Sequence, residues 1–216
     1  MGRIAIRGAG ICGVISKPAE RSIVKLILAS ASPRRLQLLR SLHMEVEVVP
    51  STYHEPDRAH LSARELALEH AQKKCADVAS RFPQELVVAA DTVVDVDGMV
   101  YNKPKNDADA KRMLRALSGR MHIVHTAFAI AHPAIAMTVH AESTKVTFFE
   151  LGIDEIDAYV ATGEPLDKAG AYGIQGYGAT LVERIDGDFY TVMGFPLGRF
   201  VRTLRRLGFE VPIKKE

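Results

Sequence analysis

The chain has 216 residues, 47% of them hydrophobic, with a formal net charge of +2. This size allows a full core, and so small a charge does not provide the electrostatic footprint of a nucleic-acid-binding protein. No apolar run approaches the ~20 residues that span a bilayer, and Cys12 and Cys75 lack metal-ligand spacing. We therefore expect a cytoplasmic protein that binds neither nucleic acid nor a membrane.

The first 24 residues contain a glycine pattern typical of dinucleotide binding. The run Gly8-Ala-Gly-Ile-Cys-Gly13 matches G-x-G-x-x-G after a strand-like run. That fingerprint requires a helix beginning at the glycines and an acidic residue ending the next strand. Here Pro18 breaks the helix within a turn, and the next strand ends at Ala29-Ser30 without a carboxylate. We keep dinucleotide binding as a minor alternative and interpret residues 1–24 as an N-terminal extension with no assigned role.

Residues 25–40 predict a buried strand, a Ser-rich turn and the start of a helix. The run Leu26-Ile-Leu28 is short and apolar, as in a strand covered on both faces. Ser32 is a natural N-cap, and Pro33 suits the first helical position.

Two arginines follow that cap. Arg34 and Arg35 lie in the first helical turn, where the helix dipole and free N–H groups are already positive. No carboxylate occurs from Lys25 to Arg40, so an anion would complete the arrangement, and phosphate is the commonest anion at a helix N-terminus. The alternative is two solvated arginines paired with distant acids.

The remaining pattern alternates strands and helices. Residues 44–48 alternate as a half-exposed strand, Ser62-Ala-Arg-Glu65 forms a capping box for a helix through about Ser80, and Leu86–Ala90 is an apolar strand that ends at Asp91. A hairpin turns at Asp97-Gly98, and an amphipathic helix ends at Gly119.

The C-terminal half begins with two long antiparallel strands, at 122–131 and 134–149. Asp154 is expected to cap a short helix ending at Gly163, followed by an irregular glycine-rich loop to Gly178. A second hairpin is predicted from Thr180–Ile185 and Phe189–Met193, and a last helix runs from Pro196 to Gly208.

Ligands of open α/β sheets gather at the carboxyl ends of strands, where Ser30 and Asp91 are both predicted to lie. If their strands are neighbours, the carboxylate of Asp91 faces the arginines, where it can hold a hard divalent ion or act on a water molecule. The alternative is a turn or cap residue before Thr92.

Further charged residues have open assignments. Lys74 and Lys103 could extend a phosphate clamp or be solvated, and Lys103 is favoured because Pro104 constrains its backbone. Glu55 could be a second metal ligand or an exposed loop acid. His122 and His125 alternate with apolar residues, so we interpret them as partner-bonded or surface histidines rather than ligands.

Several stretches together resemble the Maf family of nucleoside triphosphate pyrophosphatases, named for septum-formation proteins of bacteria. The resemblance covers about residues 25–207. The stretches that carry it are Leu28-Ala-Ser-Ala-Ser-Pro-Arg-Arg35, Ala89-Ala-Asp-Thr-Val-Val94, Lys103-Pro104, Met113-Leu-Arg-Ala-Leu-Ser-Gly119 and residues 159–176. Five motifs in the right order make the resemblance specific.

The resemblance implies an α/β fold, a mixed twisted sheet with flanking helices and two lobes around a long cleft, similar to inosine triphosphate pyrophosphatases. It places the family domain at 25–210. It implies hydrolysis of a nucleoside triphosphate to the monophosphate and pyrophosphate with a divalent cation, Mg or Mn, often in a homodimer.

The resemblance also implies site roles. Asp91 would be the proton acceptor and, with Glu55, a metal ligand. Phosphate binding would fall to Ser30, Arg34, Arg35, Lys74 and Lys103. Base specificity would fall to Arg34, Thr92 and Gln175, whose motifs resemble the dTTP/UTP branch rather than the branch that prefers 7-methyl-GTP. The Gln175 amide can pair with the O4 and N3–H edge of uracil and thymine. A non-catalytic nucleotide-binding regulator of division is the other alternative.

Overall fold

A seven-stranded mixed sheet organises the computed structural model, which describes residues 25–56 and 60–211. The strand order is β2-β1-β3-β5-β6-β7, with β4 paired to β3. The strands are β1 Lys25–Leu28, β2 Glu45–Val48, β3 Val87–Val96, β4 Met99–Tyr101, β5 Met121–His132, β6 Ile135–Phe148 and β7 Val182–Asp186. The pairs β1–β2 and β1–β3 are parallel, whereas β3–β4, β3–β5, β5–β6 and β6–β7 are antiparallel.

Helices flank this sheet. They are α1 Pro33–Ser41, α2 Ala63–Arg81, α3 Asp107–Leu117, α4 Ile153–Ala161, α5 Phe189–Met193 and α6 Leu197–Arg206. Three short 3₁₀ turns, Glu164–Asp167, Ala169–Ala171 and Gly176–Leu181, connect α4 to β7. None of the helices in the described ranges is long and apolar enough to cross a membrane.

The central strand β3 passes through separate hydrophobic cores. Near its start, Val88 and Ala90 pack with α1 and α6 on one face, while Val87 and Ala89 pack with α2 on the other. This alternation follows from the period of two of a strand buried on both faces. At its far end, Val94 and Val96 enter a third core with α3 and α4. Asp91 and Thr92 therefore lie where the strand crosses between the two lobes.

Several local predictions for the first half of the chain are confirmed. The Ser32 side chain caps α1, and Pro33 takes its first turn. The predicted capping box forms reciprocally between Ser62 and Glu65. The strand of Ser30 is also the parallel neighbour of the strand of Asp91, since Leu28 pairs with Val88.

Three predictions are wrong. Asp91 does not end its strand. The pairing of β3 with β1 stops at Val88, but its pairing with β5 continues from Val87 to Asp95, so β3 extends past Asp91. Asp154 does not cap α4, whose N-cap is Gly152. The second hairpin does not form either, because β7 pairs with β6 and the segment Phe189–Met193 is helical.

The helical conformation of Phe189–Met193 has local causes at both ends. The Asp188 carboxylate accepts hydrogen bonds from the backbone N–H of Thr191 at 2.7 Å and from its hydroxyl at 2.8 Å. Gly194 then ends the helix with a φ of +101°, a left-handed conformation that glycine adopts readily. The glycine pattern of residues 8–13, like Cys12, falls outside the described residues.

Candidate active site

A cavity of about 610 Å³ opens where β3 crosses between the lobes. Its walls come from the turn before α1, the loop after β2, the inner face of α2, β3, and the loop after α4. Every site residue predicted from the sequence lines it. These residues are Ser30, Arg34, Arg35, Glu55, Lys74, Asp91, Thr92, Lys103 and Gln175. Segments far apart in the chain thus converge on one polar cavity.

One side of the cavity carries a row of three charged groups, Glu55, Lys74 and Asp91, here called the lysine row. The Lys74 amine lies 2.6 Å from Asp91 Oδ1 and 2.5 Å from Glu55 Oε1. The side chain of Asp91 is 8% exposed, whereas that of Glu55 is 49% exposed. Lys74 therefore bridges a buried carboxylate to one at the cavity mouth.

Lys74 also sets the protonation of its outer partner. Burial alone would raise the pKa of the Glu55 carboxyl, but the hydrogen bond and charge of Lys74 outweigh it and hold the pKa below its usual value. The charges of His70 and Lys103 act in the same direction. Glu55 is thus an anion near neutral pH.

The opposite side is formed by Arg35 and its acceptors, here called the arginine wall. Arg35 Nε donates to the Gly194 carbonyl at 2.9 Å, and its two terminal nitrogens donate to Ser30 Oγ and Thr92 Oγ1, each at 3.0 Å. A guanidinium has five N–H donors, so two remain for a ligand. Burial lowers the pKa of Arg35, and the nearby charge of Asp91 opposes this.

A chain of hydroxyls continues the arginine wall into the core. Thr92 Oγ1 lies 3.0 Å from Thr126 Oγ1, which donates to the Thr191 carbonyl at 2.7 Å. Because each hydroxyl has one proton, Thr126 must accept from Thr92, and Thr92 accepts from Arg35. The Thr92 proton is thus committed inside the wall, so Thr92 influences a ligand by orienting Arg35.

Arg34 is held much more loosely than its neighbour. Its guanidinium lies 3.4 Å from Asp167 Oδ2, and the two side chains are 30% and 60% exposed. Lys103 and Gln175 are also exposed at the cavity edge. Positive charge at the mouth is therefore available to a polyanion.

Lys168 and Asp167 also line the cavity, although no sequence motif indicates a role for either residue. The Lys168 side chain is only 12% exposed, and its amine lies 2.6 Å from Asp167 Oδ1. Burial would raise the pKa of Asp167, but the hydrogen bond from Lys168 and the charge of Arg34 hold it below its usual value. Their placement in a glycine-rich loop was the available signal.

The two histidines that we interpreted as partner-bonded are so. His122 Nε2 lies 2.7 Å from the Tyr172 hydroxyl, and His125 Nδ1 lies 2.7 Å from Ser143 Oγ. Burial lowers the pKa of His122 to about 4, so the ring is neutral near pH 7. Both rings therefore have hydrogen-bond partners within the fold.

The residues present fit a divalent cation that is shared with a ligand. Asp91 and Glu55 both approach one point, occupied by the Lys74 amine, and carboxylate oxygens are the ligands that Mg²⁺ prefers. No group of three or more His, Cys, Asp or Glu within 25–56 and 60–211 could hold a metal. Asp91 and Glu55 supply two carboxylates, and protein Mg²⁺ sites can complete such a pair with substrate phosphates.

The mixed sheet and its cation-lined cavity fit a class of protein that holds a polyanion beside a carboxylate. The family model for Maf-like protein matches residues 25–207, and the chain belongs to this family. A dTTP/UTP pyrophosphatase of Bacillus cytotoxicus is 46% identical over 182 residues, which cover 84% of this chain and 95% of that protein. One of Bacillus mycoides is 44% identical over 187 residues, covering 87% and 97%.

Two solved structures are also similar. The Staphylococcus aureus Ham1 protein matches with a TM-score of 0.46 and 15% identity, over 73% of this chain and 79% of that chain. A nucleoside-triphosphatase, dITP/XTP pyrophosphatase, of Mycobacterium abscessus matches with a TM-score of 0.42 and 19% identity, over 85% and 94%.

Proposed function

We propose that this protein is a nucleoside triphosphate pyrophosphatase that hydrolyses dTTP and UTP to the monophosphate and pyrophosphate. The observation that carries the proposal is the buried carboxylate of Asp91, which shares a cavity with Arg34, Arg35 and Lys103. Membership of the Maf family and the names of its relatives support the same activity.

The reaction adds one water molecule across the α–β phosphoanhydride. Asp91 accepts a proton from that water, since a carboxylate within one hydrogen bond of the nucleophile can act as general base. The exposed guanidinium of Arg34, the unused N–H groups of Arg35 and the amine of Lys103 hold the phosphate oxygens. Ser30 fixes one terminal nitrogen of Arg35. Cations around a triphosphate stabilise the charge that shifts during cleavage.

A divalent cation, Mg or Mn, is part of the proposal. Asp91 and Glu55 would hold it, and when bound it would neutralise phosphate charge and polarise the anhydride. Lys74 pairs with both carboxylates in this structure, and with the cation bound its amine would contact a phosphate oxygen instead. Cytoplasmic location, a homodimer and the domain limits 1–24 and 25–210 stay predictions.

Base preference would depend on Gln175, which is exposed at the cavity edge. Its amide can donate to O4 and accept from N3–H, the edge that thymine and uracil share. A 7-methylguanine base offers a different pattern, so the 7-methyl-GTP alternative predicts the opposite preference.

A nucleotide panel tests the proposal. The protein is incubated with Mg²⁺ or Mn²⁺ and with dTTP, UTP, dGTP or 7-methyl-GTP, and released pyrophosphate and single phosphate are measured separately. Pyrophosphate release highest with dTTP and UTP is the expected result. Release of single phosphate, preference for 7-methyl-GTP, or calorimetric binding without turnover would contradict the proposal, and the last result would favour a regulatory binder.

A further inference from the structure

One carboxylate organises the loop that carries Gln175. Glu164 Oε1 accepts from the Tyr159 hydroxyl at 3.1 Å and from the backbone N–H of Gly178 at 3.2 Å. Glu164 Oε2 accepts from the backbone N–H of Tyr177 at 3.1 Å. Hydrogen bonds to a carboxylate are stronger than those between neutral groups, so Glu164 is a firm anchor for the end of the loop.

The start of the loop is tied to the same carboxylate through Tyr159. The Tyr159 hydroxyl accepts from the backbone N–H of Gly173 at 3.2 Å while it donates to Glu164. Burial raises the pKa of this hydroxyl, which keeps its proton in place. Residues 173 and 178 are thereby fixed to one centre, with Gln175 between them.

The close packing of this loop also requires its glycines. A Cβ at Gly176 would lie 2.8 Å from Glu164 Oε2, and the φ of Gly176 is +65°. A Cβ at Gly178 would lie 2.3 Å from the Gly173 carbonyl oxygen. The backbone therefore passes too close to Glu164 at Gly176, and to Gly173 at Gly178, to admit a side chain at either position.

We propose that Glu164 is a positioning residue for base recognition: by holding both ends of the 173–178 loop, it places the Gln175 amide against the base. This inference rests on the proposed function. Glu164 is not among the residues that line the cavity, so its loss should weaken base discrimination more than turnover.

The test compares four variants, Glu164→Ala, Glu164→Gln, Gln175→Ala and the double variant Glu164→Ala/Gln175→Ala. The readouts are kcat/KM for dTTP and dGTP, and hydrogen exchange of the peptide spanning 173–181. Glu183→Ala is the matched control, because Glu183 is an exposed carboxylate on β7. Glu164→Gln keeps the test informative if Glu164→Ala does not fold, since its amide oxygen can still accept hydrogen bonds from Tyr159 and Gly178.

The expected result is a drop of about tenfold in the dTTP-to-dGTP ratio for Glu164→Ala. Glu164→Gln should fall between this variant and the wild type, and exchange should rise in residues 173–181. The double variant should have a dTTP-to-dGTP ratio at least as high as that of Gln175→Ala alone, because both changes remove the same interaction, that of Gln175 with the base.

An unchanged ratio in folded Glu164→Ala or Glu164→Gln would overturn the positioning role, as would fully additive losses in the double variant. A wild-type protein without dTTP selectivity would instead overturn the proposed function. The two failures are therefore distinguished by the wild-type measurement.

Discussion

The two sides of the cavity are held together by different kinds of interaction. In the arginine wall, Arg35 binds neutral acceptors, and the chain of hydroxyls ends at a buried backbone carbonyl. In the lysine row, the contacts are ion pairs that end at the half-exposed Glu55. Buried, satisfied networks rigidify a structure, whereas an ion pair with a half-exposed carboxylate, as between Lys74 and Glu55, is held more weakly. One side therefore gives the site its shape, and the other can change partners when a ligand binds.

Asp91→Asn is expected to have the largest effect on activity. The amide has nearly the same shape but cannot accept a proton from water, so kcat for dTTP should fall by about a thousandfold. Pyrophosphate release measures it, with Asp186→Asn on β7 as the control. Activity near wild type would show that Asp91 is not the proton acceptor.

Lys74→Met tests the lysine row. It removes the amine that pairs with Asp91 and Glu55 in the free protein and that contacts phosphate in the proposed complex, so we expect kcat/KM to fall by about a hundredfold. Since Lys74 holds the pKa of Glu55 below its usual value, that pKa should rise in the variant. The acid limb of the activity profile should then move to higher pH.

Lys73→Met is the matched control for this change, because Lys73 is the exposed neighbour on the same helix. It should leave both the rate and the pH profile unchanged. Equal effects of the two variants would mean that net charge, rather than the bridge, is responsible.

Thr126→Val breaks the arginine wall without touching the cavity. It removes the acceptor of Thr92, whose hydroxyl proton is then left without its partner inside the wall, and the Thr191 carbonyl keeps only the backbone N–H of Gly194 as a donor. The free energy of unfolding should therefore fall by about 1–3 kcal/mol. Activity should fall about tenfold as Arg35 loses its orientation. Urea denaturation and dTTP kinetics check both, with Thr138→Val on β6 as the control. A destabilised variant with a wild-type rate would show that the chain of hydroxyls stabilises the fold but does not orient Arg35 for activity.

Asp167→Asn should have the smallest effect. The contact between Arg34 and Asp167 is long and exposed, so its loss should change KM for dTTP by less than about threefold, in the direction of tighter binding. Steady-state kinetics at low salt would detect it. A large loss of kcat would mean that Asp167 has a direct role.

Features with local causes could be predicted from the sequence. The caps at Ser32 and Ser62 were found because a few adjacent residues determine them. The helix at Phe189–Met193 was missed because its β-branched and aromatic residues favour a strand, and the cap from Asp188 overrides that preference.

The residues predicted for the site line one cavity, but their contacts could not be predicted from the sequence. The arrangement of Lys74 between two carboxylates depends on the packing of α2 against β3, which no local pattern encodes. The position of Asp91 inside a strand depends on pairing with β5, more than thirty residues away in the chain. Long-range pairing of this kind is set by the assembled sheet.

The most direct test of the account is a crystal structure of the wild-type protein with Mg²⁺ and α,β-methylene dTTP, which cannot be cleaved. We predict that the triphosphate occupies the cavity, with its α–β linkage within one water molecule of the Asp91 carboxylate and the contacts of Arg35 unchanged. An analogue bound elsewhere, with its phosphates out of reach of Asp91, would contradict the proposed site.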